Sequence, residues 1–70
     1  MAREIKIRGE VIRLGELLKL AGVVSTGGEA KLLLGSTVVL VNGEPDNRRG
    51  RQLHAGDEVV VGDELLRIVG

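Results

Sequence analysis

The spacing of apolar residues along the chain changes period twice. Glu4-Ile5-Lys6-Ile7-Arg8 alternates polar and apolar, the period of a half-buried strand, and Gly9 ends it. Leu14, Leu17, Leu18 and Ala21 then fall at i, i+3, i+4 and i+7, the stripe of a helix of roughly two turns, with Gly22 as its stop. Ser25 or Thr26 can cap a second helix. Glu29, three residues past Thr26, completes a capping-box pattern. Ala30, Leu33 and Leu34 form the buried face of that helix, and Gly35 is expected to end it. Residues 38–41 read as a strand, followed by Asn42-Gly43, a strong hairpin turn. Pro45 confines the next segment to a sheet edge or a loop. Leu53 is expected in the core. Ala55-Gly56-Asp57 reads as a turn, and Gly62-Asp63 separates strands at 58–61 and 64–69. Both helices are too short to persist alone in water, so packing must hold them. The expected fold is a small α+β domain spanning residues 1–70, with two short helices on one face of a mainly antiparallel sheet.

Composition narrows the chemistry. A chain of 70 residues buries only about 60% of its unfolded surface. It has no aromatic residue, so the core must be aliphatic, and single-strand binding by stacking bases on rings is excluded. Without cysteine there is neither a disulfide nor a thiolate metal site, which suits a reducing cytoplasm. The apolar runs fall far short of the ~20 residues of a membrane span. The opening Met-Ala-Arg-Glu reaches charge at once, against a signal peptide. Net charge is zero but uneven. Residues 1–51 hold nine Lys/Arg against six Asp/Glu, whereas residues 52–70 hold Arg67 against four acids. One basic and one acidic face would follow.

The densest local choice is Asn47-Arg48-Arg49-Gly50-Arg51. A guanidinium offers a planar fork of donors that matches phosphate oxygens, so three within four residues point to a phosphate-facing loop. The competing reading is a solvated loop paired with Glu44 and Asp46, where exposed ion pairs are worth little. A second candidate is Ser25-Thr26-Gly27-Gly28, since a helix N-terminus with two glycines can receive an anion on free N–H groups. Arg13, Lys19 and Lys31 lie away from the apolar stripes of the two helices and could join the loop on one surface. No Walker loop is present, and no metal-ligand spacing or cofactor motif appears. His54 has no nucleophile or paired carboxylate at a telling spacing, which leaves no catalytic candidate. On the strand at 38–41 both faces are apolar. Val38 and Leu40, with Leu32, form a candidate docking patch for a protein partner or a second copy.

Three ordered blocks resemble a known family. Residues 12–21 (Ile-Arg-Leu-Gly-Glu-Leu-Leu-Lys-Leu-Ala), Ser25-Thr26-Gly27-Gly28-Glu29-Ala30-Lys31 and Val39-Leu40-Val41-Asn42-Gly43, then Leu53 and Gly56-Asp57, are similar to the S4-type RNA-binding domain. The run from Asn42 to Arg51 resembles its small stand-alone bacterial members, the YaaA/YbcJ type. The resemblance spans residues 12–61. It implies the S4-like (alpha-L) fold and a helix pair plus hairpin facing structured RNA, ribosomal RNA above all, in a non-catalytic role. It also implies Arg13, Thr26, Lys31 and Asn42 as family-matching positions. Gly27, Leu32, Thr37, Val38 and Leu40 depart from the commoner residues of the family, which shifts weight onto Arg48, Arg49 and Arg51. Two other classes are compatible with the residues. One is an interaction module or homodimer built on Leu32, Val38 and Leu40. The other is a β-grasp sulfur carrier, although the chain ends in Val69-Gly70 rather than a Gly-Gly pair.

Overall fold

The first helix stops, and the second both starts and stops, for a local chemical reason. The structure, a computed structural model, describes residues 2–70. The first helix, α1, spans Leu14–Leu20 and closes through Gly22, whose φ of +76° suits glycine. Gly22 N–H donates to the Lys19 carbonyl and Val23 N–H to the Leu18 carbonyl, the paired bonds of a Schellman stop. The second helix, α2, spans Gly27–Ser36. Thr26 caps it, its hydroxyl accepting from Glu29 N–H at 3.1 Å. The Glu29 carboxylate returns to Ser25 N–H at 3.2 Å, one residue earlier than the simplest capping box would place it. The helix runs through Gly35 to Ser36, one residue past the expected stop. Thr37 ends it in an extended conformation, with no left-handed residue needed.

The described residues form seven strands besides the helices: β1 (Ala2–Lys6), β2 (Ile12–Arg13), β3 (Val39–Val41), β4 (Glu44–Pro45), β5 (Gln52–Leu53), β6 (Glu58–Val61) and β7 (Glu64–Val69). Five form one sheet in the order β1-β7-β6-β3-β4, and β2 pairs with β5 in a two-stranded ribbon. Among the described residues only β1 and β7 run parallel. Every other pair is antiparallel, so the expected α+β architecture stands. The first strand lies two residues earlier than its alternation predicts. Ile7, just beyond it, still donates its N–H to the Val69 carbonyl. The short strands β2, β4 and β5 were not legible, because two residues carry no period. As Pro45 requires, β4 lies on a sheet edge.

One aliphatic core joins the layers. Leu14, Leu17, Leu18, Ala30 and Leu34 from the helices meet Ile5, Val39, Val41, Val59, Leu66 and Ile68 from the sheet, all buried. Leu53 of β5 is fully buried too, which anchors the far end of the basic loop. No helix among the described residues is long and apolar enough to cross a membrane.

The turn between β3 and β4 has φ of +51° at Asn42 and +86° at Gly43, the two left-handed residues of a type I′ hairpin. Asn42 does more than tolerate that conformation. Its amide donates to Asp57 at 3.1 Å and its side-chain oxygen accepts from Glu58 N–H at 2.9 Å, tying the turn to the start of β6. Replacing Asn42 by Ala is expected to destabilise the domain by about 1–2 kcal/mol, from the lost bonds and the left-handed strain together. Urea unfolding reads this directly. A midpoint equal to wild type would mean that the amide is idle.

Candidate nucleic-acid interface

The first turn of α1 has backbone N–H groups to satisfy and no side-chain cap, because Arg13 occupies the cap position. The basic loop supplies the partners. Leu14 N–H donates to the Arg51 carbonyl at 2.8 Å and Gly15 N–H to the Arg49 carbonyl at 2.9 Å. The loop is therefore docked on the start of α1 by its backbone, which leaves its side chains to point elsewhere. Gly15 makes the approach possible. A Cβ there would stand 2.5 Å from Arg49 Cγ and 3.4 Å from the Arg49 carbonyl oxygen.

Docking the loop creates an open notch of about 320 Å³ lined by Arg13, Gly15, Glu16, Lys19, Gly27, Arg49 and Gly50. Three of the seven lining residues are glycine. Arg13, Lys19 and Arg49 are exposed and have no carboxylate partner within ion-pair distance among the described residues. The single acid of the lining is Glu16, so the notch keeps a positive balance. The Arg49 guanidinium lies 3.5 Å from the Gly27 carbonyl oxygen, which links the loop to the first turn of α2. There Gly27 presents backbone with open space around it, and Gly28 meets only the Thr26 hydroxyl. Positive side chains and the positive end of a helix thus converge on one concavity.

The arginines of the loop are not equivalent. Asp46, its side chain only 8% exposed, accepts from Arg48 N–H at 2.9 Å, Arg48 Nε at 3.1 Å, Arg48 Nη2 at 2.9 Å and Arg51 Nη1 at 3.0 Å. These bonds, led by the Arg48 side chain, hold the Asp46 carboxyl well below the usual carboxylate range. Its own N–H donates to the Val39 carbonyl, which fastens the loop to β3. Arg48 and Arg51 are thereby committed within the protein, and Arg49 is the loop arginine left free for the notch.

The expected site residues separate accordingly. Arg13, Lys19, Gly27 and Arg49 come together, with Ser25, Thr26 and Gly28 beside them at the start of α2. Lys31 is exposed on α2 outside the notch lining. Asn47 and Arg48 line a second, wider groove with Pro45, Val38 and the end of α2. Asn42 is engaged with Asp57 and Glu58. Burial would push the Asp57 carboxyl up, but hydrogen bonds from His54 N–H and the Asn42 amide outweigh it and the net shift is down. His54 is exposed beside that turn residue. Among the described residues no group of His, Asp and Glu is arranged to hold a metal ion.

Gly15 escaped the sequence reading, and Asp46 entered it only in the competing account, whose Asp46 ion pairs are present. Gly15 reads as an ordinary residue of an amphipathic helix, although a glycine inside a seven-residue helix is a cost that calls for a reason. Asp46 reads as one acid beside several arginines, and only the fold shows that it orders them. Changing Gly15 to Ala is expected to leave stability within about 1 kcal/mol of wild type, because the helix gains what the contact loses. Arg49 must then swing aside, and affinity for an RNA ligand should fall by roughly 5–10-fold, the worth of one phosphate contact at about 0.1 M salt. Thermal melting alongside filter binding separates the two effects. Unchanged affinity would place Arg49 outside the contact.

A helix pair bearing a cationic notch, packed on a small sheet behind a docked arginine loop, defines a class. A family profile described as S4 domain matches residues 5–69, and the chain belongs to that family. It is also 56% identical over 61 residues to a Bacillus subtilis (strain 168) protein named as a probable ribosome maturation protein, RlbA. That match covers 87% of this chain and 86% of the relative.

Proposed function

We propose that this protein is a non-catalytic RNA-binding factor of bacterial ribosome maturation, acting in the cytoplasm. It would seat backbone phosphates of folded ribosomal RNA in the notch formed by Arg13, Lys19 and Arg49 over Gly15 and Gly27. The observation that carries this reading is the convergence of two cations from the cap and body of α1 and one from the loop on a glycine-lined concavity at the start of α2. None of the three has a carboxylate partner among the described residues. The family and the relative's role in ribosome maturation support the choice of RNA and of the ribosome. With no aromatic residue to stack on bases, recognition would fall to shape and backbone, as suits a folded A-form target. Ser25, Thr26, Gly28 and Lys31 would border the contact. Asn47, Arg48 and Arg51 would contribute through the loop's shape more than by direct grip.

A salt titration of filter binding tests the reading. Three seated phosphates predict a log–log slope of roughly −2 to −3 on a structured ribosomal RNA fragment. Duplex DNA of equal length should bind more weakly. A flat slope, or equal affinity for the DNA, would sink it.

A further inference from the structure

Both helices lie against the sheet face that carries Val39, Val41, Val59, Leu66 and Ile68. The opposite face has a different character. The strand register aligns Ala2, Leu65, Val60, Leu40 and Pro45 in one row across all five strands. All five are apolar, and none belongs to the buried core. Val38, which precedes β3 on the same face as Leu40, is 70% exposed and extends the row. Leu32, by contrast, is carried by α2, so the patch expected from sequence is better drawn with Val60 and Leu65 than with Leu32. Beside the row, Arg67 and Glu58 face each other across β7 and β6 and form an ion pair at 2.7 Å. Glu4 and Lys6 of β1 share that face, so its four charges sum to zero. A phosphate backbone finds little to hold, whereas a neutral aliphatic surface does.

Area decides what kind of occupant fits. A stable interface takes about 800 Å² from each partner, more than a sixth of the 4522 Å² surface of this chain. A single row of residues, with Leu40, Val60 and Leu65 already half-buried, falls well short of that. It cannot hold a stable homodimer, or any free protein, by itself. It can hold a partner that a second contact has already brought close, because tethering turns weak affinity into occupancy. The helix layer, which carries the cationic notch, lies on the other side of the sheet and leaves this face free while RNA is bound.

We propose that the Leu40–Val60–Leu65 face docks an apolar, uncharged patch of a protein that sits on the same RNA, so that the domain bridges RNA on its helical side and protein on its sheet side. This rests on the ribosomal RNA reading above, and the test keeps the two apart. Native ribosomal precursor particles and phenol-extracted RNA from those same particles are titrated, at one salt concentration, with wild type, Val38→Gln and Val60→Thr/Leu65→Thr. Threonine keeps the β-branched shape of Val60 and gives position 65 a residue that a strand also favours, and Val38 is exposed enough for a polar side chain to be tolerated. Wild type should bind the particles about tenfold more tightly than the extracted RNA. Both variants should bind extracted RNA as wild type does, while their affinity for particles falls to the level of the extracted RNA. Full particle affinity in the Thr double variant, or no wild-type preference for particles, overturns the proposal. A wild-type dimer in sedimentation that the variants abolish also overturns it, by making a second copy the occupant. If extracted RNA fails to bind while particles bind and the variants lose that binding, the RNA reading fails and the protein-docking face survives.

Discussion

Replacing Arg13, Lys19 and Arg49 together by Ala is expected to lower affinity for structured ribosomal RNA by on the order of 10²-fold or more at about 0.1 M salt. Each phosphate neutralised by a cation releases counterions worth close to one power of ten at that salt, and the three side chains line one notch with no carboxylate partner of their own. The salt slope should flatten by roughly two to three units in the same titration. None of the three is in the buried core, so the fold should persist, and circular dichroism checks that. The paired variant Arg48→Ala/Arg51→Ala supplies the contrast. Both side chains already serve Asp46, so the slope should change by well under two-thirds of the change in the notch triple, which is the share that charge counting gives. A change about two-thirds that of the triple, in proportion to the charges removed, would show that total charge, rather than the notch, governs binding.

The second large effect runs against simple charge counting. Asp46→Ala removes a negative charge beside a phosphate-binding loop, so bulk electrostatics predicts tighter binding. The geometry predicts the reverse for a folded target. Asp46 takes three bonds from Arg48 and one from Arg51, and its N–H is fastened to Val39. Without the carboxylate the loop that caps α1 loses its order, and Arg49 must be reordered each time RNA binds. Affinity for structured RNA is expected to fall by roughly 5–10-fold. Affinity for unstructured poly(U) should stay level or rise. Their ratio is the diagnostic, and a variant that binds structured RNA more tightly than wild type would remove Asp46 from the account. The same carboxyl predicts a pH signature. Its folded-state pKa lies below its unfolded value, so its stabilising contribution is complete above about pH 4 and is lost as pH falls through the folded value. The Asp46→Ala protein should therefore lose less stability than wild type between about pH 4 and pH 2, read from urea midpoints.

Much of this molecule was legible because its local signals agree with one another. The stripe from Leu14 to Ala21, the Thr26–Glu29 box and the Asn42-Gly43 turn each specify backbone through contacts a few residues apart, and each appears where those contacts place it. The illegible parts depend on distant partners. The parallel pairing of β1 with β7 joins the two ends of the chain, and no local pattern encodes such a register. Among three arginines so close in the chain, nothing in the order of side chains says which is held and which is offered. Two long-range contacts decide it. Asp46 lies almost buried against β3, where it holds Arg48 and Arg51. The Arg49 carbonyl reaches Gly15 only because the pairing of β2 with β5 brings the loop to the start of α1.

By itself, the amino-acid sequence determined the aliphatic core, the two helices and the cap of the second, the hairpin, the exclusion of base stacking on aromatic rings, and the concentration of cations in residues 1–51. Those come from composition and from interactions within one or two turns of chain. The tertiary structure alone decided that Arg13, Lys19 and Arg49 share a notch while Arg48 and Arg51 share the Asp46 carboxylate, and that one sheet face stays bare. The physical reason is range. Propensity and periodicity act along the chain, whereas an ion pair, a close approach over a glycine, or an uncovered row of strands exists only once packing has brought separate segments to the same place.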